Sequence, residues 1–572
     1  MTKVKILFLY LFLVISSLTA KEYRIYTLED KVVVQDENDQ IISHNISSVF
    51  NNLNSGDSVK FKRGDIFYQK VLVKNKSDIF IGSYGDVNLS LPVITSVREI
   101  PFEENQTFEI FYSKDKEVDL NDTSFQNLSY RFMQNYSLLS TQTKQQIANN
   151  FEDVKDFVDY IVRIKLPVEK FEYFDPKAVR IWIKDDEKLR LMLFEELRCK
   201  ECKDSIRWFF EDKENYLYLF IRGEMENPDK LKDELKINNI NVDTLSIQNS
   251  KNITVSNLSI EGGKYAVALR GSSFVNFTDC SVGKGAFVGV EITNSLDSNA
   301  SSDYNILDGC SIDSGFDFKN YRFHSSRGVQ DGIFLVGKAS QNKIIGCSVT
   351  NWGHSAINLF SSEENGGNIS FNEFISNRID GSKVPYMHGF TTEGITCAHN
   401  RFTSNFFTNL GARNQFGGVE NAVYRNYFGN IYNSQIKKDQ GYGAGQGIWI
   451  QAYAKNNYIT ENIFINCDEA AISVVSYEKD SEKEKNTISG NFIINCGEKI
   501  FNKPYQNCVI EVFDKHKESS SIKDNNFVNN KIFARGYTPK IYYHDEEFTI
   551  DEFNKQIGRY GDFIIGNKQI GR

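Results

Sequence analysis

The 572-residue sequence lacks several features that would assign it to a common class. No apolar run reaches the roughly 18 residues expected of a membrane-spanning helix; the most apolar run, Ile6 to Ile15, is shorter. An excess of basic residues is also missing, because the formal net charge is −9. We therefore expect no nucleic-acid partner, no attraction to anionic membranes and no membrane insertion of the mature chain.

A regular cysteine framework is missing as well. Nine Cys, an odd number, are spread along the whole chain, whereas a disulfide scaffold is dense and even-numbered. Cys199 and Cys202 form a C-x-x-C motif without a second pair at zinc spacing. A local disulfide, or no bond, is therefore favoured over a metal site, and we expect no structural metal.

Residues 1–20, MTKVKILFLYLFLVISSLTA, have the features of a secretory signal peptide. Lys3 and Lys5 precede the apolar run, and small residues lead up to Ala20. A single membrane anchor is the alternative, but the run is short for a bilayer. We exclude this segment from the fold and expect a secreted or periplasmic protein.

An internal repeat dominates the second half of the chain. The segment Asn457 to Asn466 fits N-x-(I/V)-x-x-N-x-F-x-N, and Asn421 to Asn430 fits it again. Taking the central residue as an anchor gives related segments 22 to 37 residues apart, anchored at Leu258, Cys280, Cys310, Cys347, Asn372, Asn400, Asn426, Asn462, Asn491 and Asn525. Such a repeat indicates a solenoid, since one coil can bury its apolar side chains only by stacking on the next.

We expect the anchors to stack inside the solenoid between strands about 4.8 Å apart. Asn amides would bond from coil to coil, and Cys would fill the same small space. The pattern resembles the right-handed parallel β-helix proteins of the pectate lyase-like group over roughly residues 240–535. This resemblance implies an all-β, right-handed parallel β-helix of about ten coils. A β-propeller or a left-handed hexapeptide helix would not explain one Asn per variable repeat.

The rest of the chain divides around this repeat. Residues 21–100 predict opening turns of the β-helix, because buried strands alternate with Gly/Asp turns between Gly56 and Ile94. Residues 101–238 lack the repeat and mix a helical pattern with strands, which predicts an inserted α+β module. It resembles a module of bacterial β-helix glycosidases. Residues 239–535 carry the repeats, and 536–572 predict a C-terminal cap or tail.

Strand alternation predicts a binding face on the solenoid. Residues directly before the inward-pointing ones form a stripe of small residues: Ala266, Gly289, Gly332, Ala356, Gly389, Gly447 and Ala471, with Gly411 as the counterpart in between. We expect this stripe to lie on the outer face and leave room for an extended ligand. Packing of the inserted module on the stripe is the alternative.

The outward positions after the stripe mix aromatic and polar side chains. Alternation places Arg413 between Thr391 and Trp449, and Gln415 beside Glu393. Sugar rings have apolar C–H faces and hydroxyl edges, so this mixture suits an extended saccharide. The candidate substrate-binding residues are Phe334, Asn358, Phe360, Gln415, Tyr442, Gln446, Trp449 and Gln451.

Charged loops beside these strands favour an acidic substrate. Loops 315–330, 378–387 and 433–445, before the strands, carry a net charge of +4. Loops 294–304, 361–367 and 477–485, after them, carry −5. A local basic wall suggests an anionic ligand even in an acidic protein. Solvated charges without a function are the alternative.

Two reaction classes fit this face, together with a non-catalytic alternative. A polysaccharide lyase needs a base, a cation for the uronic carboxylate and an acid, for which we consider His388 or His354, Arg413, and Tyr386 or Tyr442. A glycoside hydrolase needs two carboxylates roughly 5–9.5 Å apart. Glu393 is one candidate carboxylate. Strand spacing places Asp331 too far from Glu393, so Glu420 or Asp439 is the candidate for the second carboxylate. A non-catalytic glycan-binding or adhesin protein would use the same groove.

The candidate catalytic residues are thus Arg413, His388, His354, Glu393 and Glu420, with the lyase slightly favoured. The polysaccharide is the expected partner, and we expect a monomer. No cofactor is certain. The resemblance makes Ca²⁺ a candidate cofactor, because many lyases of this fold use it. The sequence has no dense acidic cluster, so it neither predicts nor excludes a Ca²⁺ requirement.

Overall fold

The computed structural model describes residues 20–29, 31–100, 102–103, 106–113, 159–167, 179–183, 190–191, 206–211, 215–221, 228–239, 242–285, 287–315, 331–361, 367–382, 387–432, 445–476, 483–497, 508–514, 522–523, 525–543, 546–556 and 568–569. The signal-peptide prediction, the Cys199–Cys202 motif and the helical pattern before Asp159 lie outside these residues.

Three long sheets run the length of the solenoid. Sheet I has 15 strands: Ile41–Ser43, Lys31–Gln35, Glu22–Leu28, Ser58–Lys62, Ser77–Tyr84, Lys251–Ser256, Ser273–Thr278, Ile306–Asp308, Lys343–Ile345, Glu373–Ile375, Arg401–Thr403, Ala422–Tyr424, Tyr458–Thr460, Thr487–Ser489 and Asn526–Val528. Sheet II has 13: Ile66–Phe67, Val93–Thr95, Ser259–Glu261, Ser281–Gly283, Ser311–Asp313, Ser348–Thr350, Arg378–Asp380, Phe406–Thr408, Tyr427–Ile431, Ile463–Cys467, Phe492–Ile494, Lys531–Phe533 and Lys568–Gln569.

Sheet III carries the longer strands of each coil. Its main strands are Val71–Lys74, Leu245–Gln248, Tyr265–Arg270, Val288–Thr293, Asp331–Val336, Ser355–Phe360, His388–Glu393, Asn414–Val419, Ile448–Lys455, Ile472–Ser476, Ile510–Asp514, Lys540–Tyr543 and Glu546–Thr549. Shorter strands extend it at Ile369–Ser370, Cys397–Ala398, Lys483–Glu484 and Ile522–Lys523.

The chain visits the three sheets in turn, and equivalent strands of successive coils pair in parallel. Ile357 pairs with Phe390 in sheet III, Phe374 with Phe402 in sheet I, and Ile379 with Phe407 in sheet II. The fold is a parallel β-helix. The predicted all-β class and the parallel solenoid are confirmed by these pairings.

The interior is one continuous apolar core that extends from Tyr23 to Phe553. Aromatic rings stack within it at the coil spacing. The rings of Phe407 and Phe428 are 4.9 Å apart, and those of Phe428 and Phe464 are 4.8 Å apart, with interplanar angles of 6° and 7°. Each coil thus places the same side chain above its counterpart, which is why the repeat is visible in the sequence.

Two side-chain stacks run inside the solenoid where the sequence predicted one. The first contains Asn305, Asn342, Asn372, Asn400, Asn421, Asn457, Asn486 and Asn525. The second contains Cys280, Cys310, Cys347, Asn377, Asn405, Asn426, Asn462, Asn491 and Asn530. The predicted anchors Asn372, Asn400 and Asn525 belong to the first stack and the other Asn and Cys anchors to the second.

Each amide in a stack is bonded on both sides. Asn426 Nδ2 donates to Asn462 Oδ1 (3.1 Å) and to the Phe402 carbonyl (2.8 Å), while Asn426 Oδ1 accepts from the backbone and side-chain N–H groups of Asn405. The preceding residue, Arg425, turns the chain with φ 53°. The buried amides therefore hold each turn between sheets I and II in place, as the stacking hypothesis required.

Opening turns and an insertion precede the repeats. Val71–Lys74 pairs directly with Leu245–Gln248, and Val93–Thr95 pairs with Ser259–Glu261, so the chain between Thr95 and Leu245 leaves the solenoid between two adjacent coils. Part of that chain forms a five-stranded sheet, Glu109–Ser113, Tyr160–Lys165, Tyr216–Ile221, Ile206–Glu211 and Arg190–Leu191. Another part, Val179–Ile183, Leu235–Asn239 and Val97–Glu99, forms a three-stranded sheet. The segment Pro228–Lys230, expected to be extended, is a 3₁₀ turn before the helix Leu231–Glu234.

Both ends of the core are covered. The helix Ile46–Asn52, capped by the Asn45 side chain, buries Val49 and Phe50 at the N-terminal end. At the other end, Glu546–Thr549 turns back antiparallel onto Lys540–Tyr543, followed by the helix Ile550–Gln556. No helix among the described residues has both the length and the apolar character needed to cross a bilayer.

The buried amides should be essential for stability. We expect Asn426→Ala to lower the free energy of unfolding by at least about 2 kcal/mol, because both N–H donors of Asn405 lose their acceptor. Urea unfolding followed by circular dichroism measures this. Asn51→Ala, at an exposed helix position, is the control and should change stability by less than about 0.5 kcal/mol. Equal effects would contradict a structural role of the stacks.

Candidate active site

The outer face of sheet III carries a row of polar and aromatic side chains, one from each strand. Strand register aligns Phe334, Asn358, Thr391, Gln415, Trp449, Ser473 and Glu511 along this face. Neighbours in the row are one strand spacing apart, about 4.8 Å.

The register of one strand differs from the sequence prediction. Gln415, and not Arg413, pairs with Thr391 and Trp449. The inward position of that strand is taken by Asn414, whose Oδ1 accepts from Phe390 N and whose Nδ2 donates to Gly447 O. A polar residue in the core broke the apolar alternation, so the prediction was wrong by two residues.

The stripe of small residues is also corrected, because it faces the core. A Cβ on Gly447 would lie 2.6 Å from Cδ1 of Phe464, and a Cβ on Gly389 would lie 2.6 Å from Cδ1 of Phe407. Ala356 and Ala471 are fully buried in the same core. The chain bends where each strand begins, so two successive residues point inward there. Larger residues would collide with the core, and the stripe is no ligand groove.

Asp331 orients a histidine at this bend. Asp331 Oδ1 accepts from His354 Nδ1 (2.9 Å) and from Ser355 N (3.0 Å), and Oδ2 accepts from Asn358 Nδ2 (3.0 Å). Burial would lower the pKa of His354, but the hydrogen bond and charge of Asp331, together with the charge of Glu393, outweigh it and raise this pKa. With Nδ1–H held by a carboxylate, Nε2 is the basic atom of His354.

His388 lies beside His354 on the adjacent strand. The two rings meet edge to face, with centroids 5.3 Å apart and an interplanar angle of 66°. His388 Nδ1 bonds to the Arg413 carbonyl. Because a carbonyl oxygen can only accept, Nδ1 carries the proton and Nε2 is the basic atom of the neutral ring. The predicted proximity of the two histidines agrees with this geometry.

Glu393 lies on the same strand as His388. Burial raises the pKa of Glu393 and the charge of Asp331 adds to this, while His354 and a hydrogen bond from Gln415 oppose it. A carboxyl group with a raised pKa can retain a proton to donate. Glu393 is half-buried, whereas Asp331 is almost completely buried.

Arg413 and Trp449 form the next part of the site. The guanidinium carbon of Arg413 lies 2.9 Å from the centroid of the Trp449 ring. Trp449, predicted to stack on a sugar ring, is only 3% exposed and is therefore covered. Phe360, another predicted substrate-binding ring, is 39% exposed. The neighbouring Gln446 is also buried, and its Oε1 has no hydrogen-bond partner among the described residues.

A buried carboxyl group that the sequence did not single out lies further along the row. Glu511 Oε2 accepts from Ser473 Oγ at 2.5 Å. Burial raises the pKa of Glu511 to about 8; the charge of Glu469 adds to this, whereas the Ser473 hydrogen bond and Arg413 oppose it. Glu511 and Ser473 are 38 residues apart in sequence, so only the strand register could have revealed the pair.

Several predicted residues lie elsewhere. Glu420 follows the far end of Asn414–Val419 and pairs with His399 (3.2 Å), away from the two histidines. Arg378 and Asp380, expected in a loop beside the groove, lie in a strand of sheet II. Tyr386, Tyr442, Asp439 and the side chain of Gln451 lie outside the described residues.

The donor set of this face does not fit a calcium ion. Among the described residues, no three His, Cys, Asp or Glu side chains converge as a metal site. Both Asp331 oxygens are used by protein donors, and Glu393 accepts from Gln415. Calcium requires six or more oxygen ligands, more than the described residues of this face leave available.

Comparisons with known proteins concern the fold alone. Neither a family model nor a curated protein matches the chain. Among solved structures, XylC in complex with xylose is 10% identical over 90% of this chain and 76% of that chain, with a TM-score of 0.43. Pectate lyase Pel9A is 11% identical over 89% and 80%, with a TM-score of 0.31. The catalytic domain of a GH87 alpha-1,3-glucanase is 13% identical over 57% of this chain, which spans 56% of that one, with a TM-score of 0.38.

Glu511 should make stability depend on pH. Its pKa rises from 4.5 unfolded to about 8 folded, so between these values the folded state holds a proton that the unfolded state releases. Stability therefore falls as pH rises through this window, by at most about 1.4 kcal/mol per pH unit. We expect Glu511→Gln to remove this loss in urea unfolding at pH 5 to 8, unlike Glu37→Gln at an exposed site. Parallel pH profiles for wild type and Glu511→Gln would refute the assignment.

Proposed function

We propose that this protein is an exported enzyme that cleaves glycosidic bonds in an extended, acidic polysaccharide bound across sheet III, with lyase chemistry favoured. The observation that carries the proposal is the pair of histidines, His354 and His388, whose rings meet edge to face and whose Nε2 atoms are the basic ones. His388 bonds the backbone carbonyl of Arg413, and the charge of His354 acts on Glu393, a carboxyl group of raised pKa. Export rests on the signal-peptide features of residues 1–20.

The residues provide each role that β-elimination needs. One histidine Nε2 removes the hydrogen from the carbon next to the uronic carboxylate. Arg413 binds that carboxylate and stabilises the negative charge that develops. A carbon–carbon double bond then forms as the neighbouring glycosidic oxygen leaves with a proton from Glu393. His354 directly precedes the strand Ser355–Phe360, His388 and Glu393 lie on the next strand, and Arg413 directly precedes Asn414–Val419. Three successive strands of sheet III therefore position base, cation and acid.

Stacking on Trp449 prepares Arg413 for this role. The guanidinium lies over the indole ring, and the N–H groups of a guanidinium lie in its own plane and can bind a carboxylate with two parallel bonds. The backbone of Arg413 also accepts from His388. The cation and one candidate base are thus joined, and their substitution effects should be coupled.

Glycoside hydrolysis is the second candidate, because Glu393 could also protonate a leaving group. A hydrolase needs a second carboxylate to attack or to activate water. Asp331 is a poor choice, since His354, Ser355 and Asn358 occupy its oxygens. The hydrolase therefore requires an acid from another segment, such as Asp439. A glycan-binding protein without catalysis would keep the face but not need the histidines.

The pH dependence of cleavage tests the Asp331–His354 pair. A base with a raised pKa is deprotonated only above its ordinary value, so the acidic limb of kcat/KM should lie above about pH 6.5. In Asp331→Asn the raising interaction is lost and burial remains, so the limb should move to lower pH. Asp380→Asn, on sheet II, should leave it in place. An unmoved limb in Asp331→Asn would exclude His354 as the base.

Substitution of the cation tests the substrate class. We expect Arg413→Lys to lower turnover of a uronate polymer by about 100-fold, comparable to losing one preorganised oxyanion donor, because Lys cannot reproduce the bidentate geometry. His388→Ala should cost a similar factor, and the two losses should not add. Arg425→Lys is a matched control, since Arg425 also lies over an aromatic ring, Tyr424, at 4.6 Å.

The product identifies the reaction class. Polygalacturonate, alginate and a neutral glucan would be incubated with purified protein while ultraviolet absorbance of unsaturated uronate and new reducing ends are both followed. A lyase raises both signals on a uronate polymer. New reducing ends without absorbance would replace the lyase by the hydrolase. Full activity of both Arg413→Lys and His388→Ala would remove this site from consideration.

A further inference from the structure

Sheet II exposes an apolar row that the proposed site does not use. Phe406, Tyr427, Ile463 and Phe492 occupy the same register position on four successive strands. Phe406 is 54% exposed, and Ile463 and Phe492 are each 39% exposed. We call these four residues the sheet II strip. It spans three strand spacings, about 14 Å, and contiguous exposed apolar surface of this kind usually marks a binding site.

One ring of the strip leans over a glycine of its own strand. A Cβ on Gly429 would fall 2.5 Å from Cε1 and 2.9 Å from Cζ of Tyr427, so the ring covers the glycine two residues further along its own strand. A side chain standing upright would leave that space open. Covering a strand glycine with an aromatic ring also stabilises the sheet. Sugar C–H groups pack on exposed aromatic rings.

A row of amides runs parallel to the strip. Asn466 Nδ2 donates to Asn430 Oδ1 (3.1 Å), and Asn430 Nδ2 donates to Asn409 Oδ1 (3.3 Å). Each of these bonds uses one of the two hydrogens on an amide nitrogen and one of the two acceptor sites on the oxygen. The remaining hydrogen-bonding capacity repeats once per coil, alongside the apolar row.

Charge at the ends of the strip favours an anionic partner. The same register position holds Arg378 before Phe406, and Lys531 after Phe492. The Arg378 side chain is 73% exposed. Its Nη2 lies 3.9 Å from Asp380 Oδ2, which makes this ion pair weak. The Lys531 ammonium lies 4.8 Å above the ring of Phe492. The row of six therefore has cations at both ends and no carboxylate between them.

We propose that the sheet II strip is a second polysaccharide-binding surface, on a different face from the histidine pair, which holds an acidic glycan chain along the solenoid axis. Ring faces would take sugar C–H groups, the amide row would bond hydroxyl groups, and the end cations would attract carboxylates. The acidic class of glycan rests on the proposed function. A second copy of this chain would also bury apolar residues, but exposed cations at both ends of an identical surface would oppose self-association.

Retention in affinity electrophoresis tests this surface independently of turnover. Purified protein would run through native gels containing polygalacturonate, alginate or a neutral glucan. We expect Phe406→Ala/Phe492→Ala and Tyr427→Ala each to weaken retention by uronate polymers about 10-fold. Arg378→Gln/Lys531→Gln should weaken it on uronate polymers only. Phe274→Ala/Phe371→Ala, which removes similarly exposed rings from the sheet I strand Ser273–Thr278 and from the turn before Glu373–Ile375, should have no effect.

The outcomes separate this inference from the catalytic proposal. Lost retention in the strip variants supports the surface even if no polymer is cleaved, and the histidine site then fails alone. Unchanged retention in every strip variant overturns the surface, whatever the enzyme cleaves. If the strip variants instead change the molecular mass in solution while retention is unchanged, the strip is an interface between copies and the glycan proposal is wrong. Thermal unfolding confirms that each variant is folded.

Discussion

Coil-to-coil hydrogen bonding of buried side-chain amides is the constraint on which the rest of this structure depends. Asn405, Asn426 and Asn462 each bond the next amide and a backbone carbonyl. A turn with a buried backbone needs such partners, and they fix both the coil spacing and the point where sheet I gives way to sheet II. The strand register on sheet III follows from these turns, and with it the distances between side chains of the candidate site.

This regularity explains how much of the fold could be predicted from the sequence. Each coil needs a small polar residue at the same internal position, so Asn recurs even where the loops differ in length. Two such positions lie five residues apart, as Asn421 and Asn426 show. Because both carry Asn in many coils, a search for one anchor mixed them. The predicted fold class was unaffected, because it depends on the repeat length and not on which of the two stacks an Asn belongs to.

The site was harder to predict because it depends on departures from regularity. Alternation assigns every second residue to the outside, but the chain bends at the start of each sheet III strand, which sends Gly389 and Phe390 inward together. Asn414 occupies an apolar position, which hid the true place of Arg413. Asp331 was considered only as a distant carboxylate, since its bond to His354 connects two coils and leaves no local signature. Tertiary contacts of this kind are invisible to periodicity.

The inserted module has a consequence for how the chain folds. Most coil-to-coil bonds join residues 21 to 42 positions apart, but Lys76 bonds Ser250 across 174 residues. Closing that loop before the module is structured costs about 1–2 kcal/mol more than closing a 30-residue one. During synthesis the first coil must therefore wait for a segment made much later. Its strand edges stay open to other chains in that interval, so the junction between Lys76 and Ser250 is exposed to aggregation while the chain is being made.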